Sequence, residues 1–480
     1  MVFNNSFLEK LGLMTYAILD QHQSPIRTPV ARLLLTLVTS FSSVNFKYLL
    51  RRFPSAPIGP QIKKIRGSFI YTDKNDKLLD FTAGYSACLA VGGSNRKIKA
   101  AIKSQMRSYP FISALAFSNP KSAELAELLV RNAPPGLDRV MFPGCSGSEA
   151  IEAAMRMSYQ VRFEKGEKAR NIFITRSNAY HGITAMALSL TSTPVYDFLK
   201  PLQAKNVISI PQHNYFEKAQ IGESENEYAK RSARELEDAI ITTGPEKITA
   251  FVAETMLGQL QGNVAPSGNY WRLVREICDR YGIHIILDEV YCGLGRSGKV
   301  YCCEWDGITP DFVAQGKQLA AGYGPISAVV TKSEFEDLIK AGQNRIFFAS
   351  TYEAHPLAVA AAIEVQKIVQ SREVLEHVNS VGKMMKTCLT EGLGSHKFFR
   401  NVRGRGMLVS LEYDCEERDK FNKDLEEAML KNFSVLLSAN YHRTNFTPPS
   451  STSKRVVERV IEQYVDVFLK CSSKYQPKDF

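Results

Sequence analysis

The sequence contains no CxxC pair and no cysteine/histidine set at zinc-ligand spacing, although nine cysteines and eight histidines are scattered through 480 residues. Such scatter fits neither a disulfide framework nor a zinc site. The histidines form no HxxxH or HxH pair, so no metal is expected. Scattered thiols point instead to a reducing compartment, the cytoplasm first of all. No apolar run reaches membrane-spanning length. In "ARLLLTLVTSFSSVNFKYLL", Arg32 and Lys47 bracket 14 residues, whereas a spanning helix needs about 20. The first 25 residues lack the compact apolar core of a signal peptide. Residues 1–53 are read as an amphipathic N-terminal arm, packed on the body of the protein or on a partner subunit, with an organelle-targeting leader as the alternative. Basic runs with interleaved aromatics are missing too. The net charge of +11 therefore describes a generally basic surface rather than a nucleic-acid footprint.

What is present reads as a globular chain. Hydrophobic residues make up 44% and charged residues 23%, enough for a large core with more than one lobe. Seven β-branched runs alternate with helical patterns: "RVMF" (139–142), "NIFIT" (171–175), "NVISI" (206–210), "ITAFVAE" (248–254), "IHIILDE" (283–289), "DFVAQ" (311–315) and "ISAVVT" (326–331). Between two of them, "YWRLVREICDRYG" places Tyr270, Leu273, Val274, Ile277, Cys278 and Tyr281 on one helical face, with Gly282 as its stop. This alternation predicts an α/β fold with a mostly parallel sheet covered by helices. The sheet-bearing domain is expected over 86–365. Residues 54–85 and 366–480, the latter ending in a long amphipathic helix, are expected to form a smaller α+β lobe. In such a sheet, ligands sit at the carboxyl ends of the strands.

Four stretches carry chemistry at those ends. "IHIILDEVYCGLGRSG" leaves Asp288 at the end of an apolar run, where a buried carboxylate needs a fixed cation opposite it. "MFPGCSGSEAIEAAMRM" leaves a strand and enters a helix, with Ser146 and Glu149 at capping-box spacing. The free N–H groups at that start make an anion site, where Gly147 permits close approach and Ser148 adds a hydroxyl; alone, it could be an ordinary capped helix. "DFVAQGKQLAAGYG" puts Lys317 just past a buried strand, either as a surface lysine or as a Schiff-base lysine. "SNAYHGITAM" puts Tyr180 and His181 past another strand, where the aromatic belongs to the core or stacks on a planar ligand. Cys145 and Cys292 lie inside these motifs and are read as small packing residues. Together the four stretches match pyridoxal 5'-phosphate, with its aldehyde for Lys317, its phosphate for the helix start and its ring nitrogen for Asp288.

On these motifs the chain resembles the class III (omega-type) aminotransferases of the fold-type-I pyridoxal-phosphate enzymes, over about 58–450. "SGSEA" (146–150), "YHG" (180–182), "LDEV…GLGRSG" (287–298), a lysine 29 residues beyond Asp288, "STYEAHPLAVAAA" (350–362), "VRGRG" (402–406) and "FTPP" (446–449) carry the likeness. The resemblance implies that Lys317 forms the Schiff base and shuttles a proton, and that Asp288 holds the ring nitrogen. It further implies Tyr180, with His181 beside it, and Val290 on the two ring faces, Gly147 and Ser148 on the phosphate, Glu254 near the cofactor, and Thr351 reaching the phosphate of a neighbouring subunit in a homodimer with shared sites. Tyr291 stands where the family often has glutamine and is placed near the cofactor's phenolic oxygen. Tyr85 and Ser86 fall in a substrate-pocket loop, and Arg403 is expected to brace the small lobe. Positions where relatives carry a carboxylate-binding arginine hold Asn445 and Ser438. Arg443, on the same strand face as Asn445, either takes that role or faces solvent. The implied reaction is ping-pong amino transfer from an amine or amino acid donor to an oxo acid or aldehyde. Mutase, epimerase or decarboxylase chemistry and a non-catalytic homologue are the alternatives.

Overall fold

The computed structural model describes residues 48–477 apart from 53 and 56–58. The expected arm or leader at 1–53 lies almost wholly outside the described residues. The chain divides into Met1–Gly59 and Pro60–Phe480, and the architecture below belongs to the second unit.

All seven β-branched runs become strands of one sheet. Its order is Arg139–Met141, Ala328–Thr331, Phe312–Gln315, His284–Asp288, Ile248–Glu254, Ile172–Arg176, Val207–Ile210. The last five are mutually parallel, whereas Ala328–Thr331 runs antiparallel to both neighbours. The central strands are buried along nearly their whole length, as a sheet covered on both faces requires. Successive side chains alternate between the two covers. Ile286 joins Phe173, Phe312 and the Ala150–Val161 face of the helix Gly147–Glu164. Ile285 and Leu287 join Val274, Ile277 and Leu236 from the helices Tyr270–Tyr281 and Glu225–Thr243. The helix Tyr270–Tyr281 ends on Gly282 in the left-handed region, φ 61°, as its sequence predicts. Its buried face includes Trp271, which the period count omits, while Leu273 and Tyr281 are only half-buried.

Residues on either side of this sheet pair with one another. Ile62–Arg66, Phe69–Thr72 and Lys77–Asp80 form a meander that Val435–Leu436 extends in parallel. A second four-stranded sheet holds Phe399–Arg405, Leu408–Tyr413, Arg443–Phe446 and Ser438–Asn440. The helices Arg372–Leu393 and Lys454–Ser472 cover it through Val381, Met385, Leu389, Ile461, Tyr464 and Phe468, all fully buried. Among the described residues, no helix is long and apolar enough to cross a membrane.

Candidate active site

The carboxyl edge of the seven-stranded sheet gathers Asp288, Glu254, His181, Val290, Gly147, Ser148 and Lys317. Asp288 is the last residue of its strand and lies in register with Glu254, the last of the neighbouring strand. Asp288 Oδ1 accepts the Val290 N–H at 3.0 Å, and Oδ2 lies 2.8 Å from His181 Nδ1. That proximity explains the tolerated burial of Asp288: a proton on His181 Nδ1 satisfies one carboxylate oxygen, and the other caps the following turn. Burial works to lower the His181 pKa, but the bond to Asp288 and the charges of Asp288 and Glu254 outweigh it, and the pKa rises. His181 Nε2 is buried with no partner in the protein. Burial pushes the Glu254 carboxyl up to about 7; Asp288 adds to the rise, while His181, the Gly258 N–H and Lys317 oppose it.

The helix Gly147–Glu164 starts beside this edge. Ser146 and Glu149 form the expected capping box, leaving the first-turn N–H groups of Gly147 and Ser148 ahead of the helix. A Cβ on Gly147 would stand 2.6 Å from Val290 Cγ1, so only glycine lets the helix start close on the turn after Asp288. The Ser148 hydroxyl accepts the Ile183 N–H at 3.1 Å, which ties the phosphate-type loop to the Tyr180–Gly182 loop. Thr191, absent from the sequence reading, fixes that loop by accepting the His181 and Gly182 N–H groups at 3.0 and 3.3 Å. Tyr180 is about one-third exposed, with Tyr196 at 6.2 Å between centroids.

Lys317 follows Gly316 at the end of its strand, half-buried, with φ 34°. A non-glycine residue in the left-handed region is strained, and such strain gathers at functional positions. Lys317 Nζ stands 5.5 Å over the Tyr291 ring. Gln318 donates to the Ala87 carbonyl, which docks the 83–88 loop beside the lysine turn. Asp80, at the end of the preceding strand, holds Thr82 and the Gly84 N–H, and Tyr85 and Ser86 in the loop remain exposed.

The remaining candidates separate. Glu289 turns away from Asp288 and accepts the Cys302 and Cys303 N–H groups at 2.7 and 2.8 Å; burial raises its carboxyl to about 7. Cys292 is buried, and Cys145 is half-buried. Arg403 pairs with Glu412 and donates to the Gly262 carbonyl at 2.8 Å. The solvent-facing reading of Arg443 is wrong: it is 5% exposed and donates to the Leu260 carbonyl at 3.0 Å. Its strand pairs with Leu408–Tyr413 opposite Glu412, which draws the guanidinium inward. Thr351 does not join the cluster; it is exposed, and no hydrogen bond connects it to these residues. Asn263, unremarked in the sequence, accepts the Tyr291 hydroxyl at 2.9 Å. Its one signal was "QGNVAP", where Gly262 and Asn263 both take positive φ, 77° and 55°.

The class III aminotransferase family matches residues 54–468. An uncharacterized aminotransferase of Schizosaccharomyces pombe is 33% identical over 81% of this chain and 84% of its own length. The putrescine–pyruvate aminotransferase of Pseudomonas aeruginosa is 31% identical over 73% of this chain and 76% of its own. The crystal structure of the omega transaminase from Pseudomonas jessenii in complex with PMP superposes with a TM-score of 0.81 at 28% identity, covering 95% of this chain and 97% of the other. The residues present fit pyridoxal phosphate. A glycine-lined helix start suits the phosphate, and a buried carboxylate backed by His181 suits a protonated ring nitrogen. The chain belongs to the class III aminotransferase family, and it is a pyridoxal-phosphate-dependent aminotransferase of fold type I.

Proposed function

We propose that this enzyme takes an amino group from a primary amine donor of the omega-amine or apolar amino type and passes it to a small oxo acid, by a ping-pong route. The observation that carries the site assignment is the convergence of Lys317, Asp288, Glu254 and the Gly147 helix start at one sheet edge. Pyridoxal phosphate, when bound, supplies an aldehyde carbon that accepts the amino group and a ring that withdraws electrons. In this reading Lys317 Nζ carries the covalent link and, once released, moves a proton at the substrate carbon. Asp288 keeps the ring nitrogen protonated, and His181 orients Asp288. Val290 and Tyr180 cover the two ring faces, and Gly147 and Ser148 bind the phosphate. Tyr85 and Ser86 line the substrate side. The lobes 54–85 with 366–480, and 86–365, are part of the same reading.

We further assign a homodimer in which Thr351 serves the partner's phosphate. Support comes from exposed apolar side chains in two segments, Phe111, Leu115 and Phe117, and Phe347 and Tyr352, with Phe111 against Tyr352 at 6.1 Å. For the oxo acid we assign Arg443, which is buried and whose Nε has no partner. Glu217 and Glu412 lie 3.8 and 3.9 Å from its Nη2. The relative named for putrescine and pyruvate agrees with this substrate pairing. The free cysteines support a cytoplasmic location.

Half-reaction spectroscopy tests the reading. An amine donor alone converts the cofactor stoichiometrically to its amino form, and a small oxo acid restores it. In Arg443→Ala the oxo-acid step slows at least tenfold while a carboxylate-free aldehyde reacts as before. Decarboxylation or racemisation of the donor without a net change in the cofactor would overturn amino transfer. Equal rates for acid and aldehyde in Arg443→Ala would remove Arg443 from the site.

A further inference from the structure

Tyr291 faces Lys317 with its ring rather than with its hydroxyl. The Lys317 Nζ lies 5.5 Å from the ring centroid, within the range where an aromatic face attracts an ammonium. The hydroxyl points the other way and is tethered. It bonds Asn263 at 2.9 Å, Asn263 bonds Ser410 at 2.8 Å, and Ser410 bonds Asn445 at 2.6 Å. Asn263, Ser410 and Asn445 are fully buried. The tether runs into the sheet that contains Leu408–Tyr413 and Arg443–Phe446, where Ser410 and Asn445 are paired in register. The hydroxyl end of the ring is thus held by Asn263 and the residues behind it rather than by Lys317.

We propose that Tyr291 is a positioning residue for Lys317, its ring face holding the ε-ammonium in place and Asn263 holding the ring. The inference rests on the reading of Lys317 as the cofactor's lysine. It adds a second way to steady that side chain while it is not covalently engaged. An ammonium held over the ring face loses that attraction when the ring is removed or its charge distribution is reversed. Other charges reach the same lysine. Glu254 and Cys88 act on it directly. Arg296 acts on Tyr291 and Cys88, and Asp288 and His181 act on Glu254. All of these stay constant when only residue 291 is changed.

The test is competitive acetylation of the full-length, cofactor-free protein from about pH 7 to 11, with the Lys317 peptide quantified by mass spectrometry. Tyr291→Phe keeps the ring but loses the hydroxyl tether to Asn263, so its midpoint should lie between wild type and Tyr291→Leu. Tyr291→Leu should titrate about 0.5–1 unit lower. Pentafluorophenylalanine at 291 keeps the shape, folds as Phe does and reverses the ring's charge distribution, so it should also titrate lower. Asn263→Ala, with the ring untethered, should fall between wild type and Tyr291→Leu. A wild-type midpoint in both the Leu and pentafluoro proteins overturns the proposal, as does a fall in Tyr291→Phe equal to that in Tyr291→Leu. Because the readout needs no cofactor, this inference and the aminotransferase reading fail separately.

Discussion

Asp288 and Glu289 are adjacent carboxylates at the point where the strand ends, and they turn to different partners. Asp288 meets His181, and Glu289 caps the Cys302–Cys303 turn. Asp288→Asn should leave the far-UV spectrum unchanged and cut the half-reaction rate by a factor of hundreds or more, since breaking a buried charge pair costs about 3–5 kcal/mol. Rates within tenfold of wild type would remove Asp288 from the ring-nitrogen role. Lys317→Ala should abolish borohydride trapping of the cofactor while retaining weak, reversible binding. Glu254 has a pH signature that it shares with Glu289. Its pKa rises on folding from 4.5 to about 7, so the folded state holds an extra proton across that window. Its contribution to stability is therefore present below about pH 4.5 and is lost as pH rises through 7. The raised His181 pKa acts in the same sense. Thermal midpoints of the cofactor-free protein, taken at steps from pH 4.5 to 7, should show a downward trend that Glu254→Gln makes shallower. An unchanged trend in that variant would show that Glu254 ionises normally.

Elements matter here mainly through where they begin and end. The helix Gly147–Glu164 has its capping box at the point where an anion is to be held, so cap and close approach are separable by mutation. Ser146→Ala should lower stability by about 1 kcal/mol with cofactor affinity nearly preserved. Gly147→Ala should differ in losing cofactor affinity as well as stability. Its Cβ meets Val290 at 2.6 Å, and if the overpacking of about 1–3 kcal/mol falls on the cofactor-bound form it would appear as a roughly 5- to 150-fold loss of cofactor affinity in an equilibrium titration. If both variants bound the cofactor like wild type, the helix start would not be the phosphate site.

At the scale of the whole molecule, two distant parts of the chain close on each other. Val435–Leu436 adds to the Lys77–Asp80 edge, and the 83–88 loop that follows rests on Gln318. The proposed homodimer is tested at this scale. Mixing Lys317→Ala and Thr351→Ala protomers should regenerate one intact site per mixed dimer, so the mixture should be more active than either parent. A fully active monomer in sedimentation would rule out the shared site.

Local chemistry in the sequence accounts for the seven strands, the capped helix start, the left-handed stop at Gly282 and the sheet edge that Asp288 and Lys317 share. Each is written in local chemistry: β-branched runs of strand length, Ser and Glu three residues apart, glycine where φ is positive. Tertiary structure decided what depends on partners remote in the chain. The antiparallel setting of Ala328–Thr331, the inward turn of Arg443 opposite Glu412, the Asp288–His181 pair and the anchoring of Tyr291 by Asn263 all bring together residues with no common periodicity. No local pattern encodes a contact between residues 107 positions apart, as Asp288 and His181 are; only the packing of parallel strands, whose carboxyl ends share one edge, brings such residues within hydrogen-bond reach.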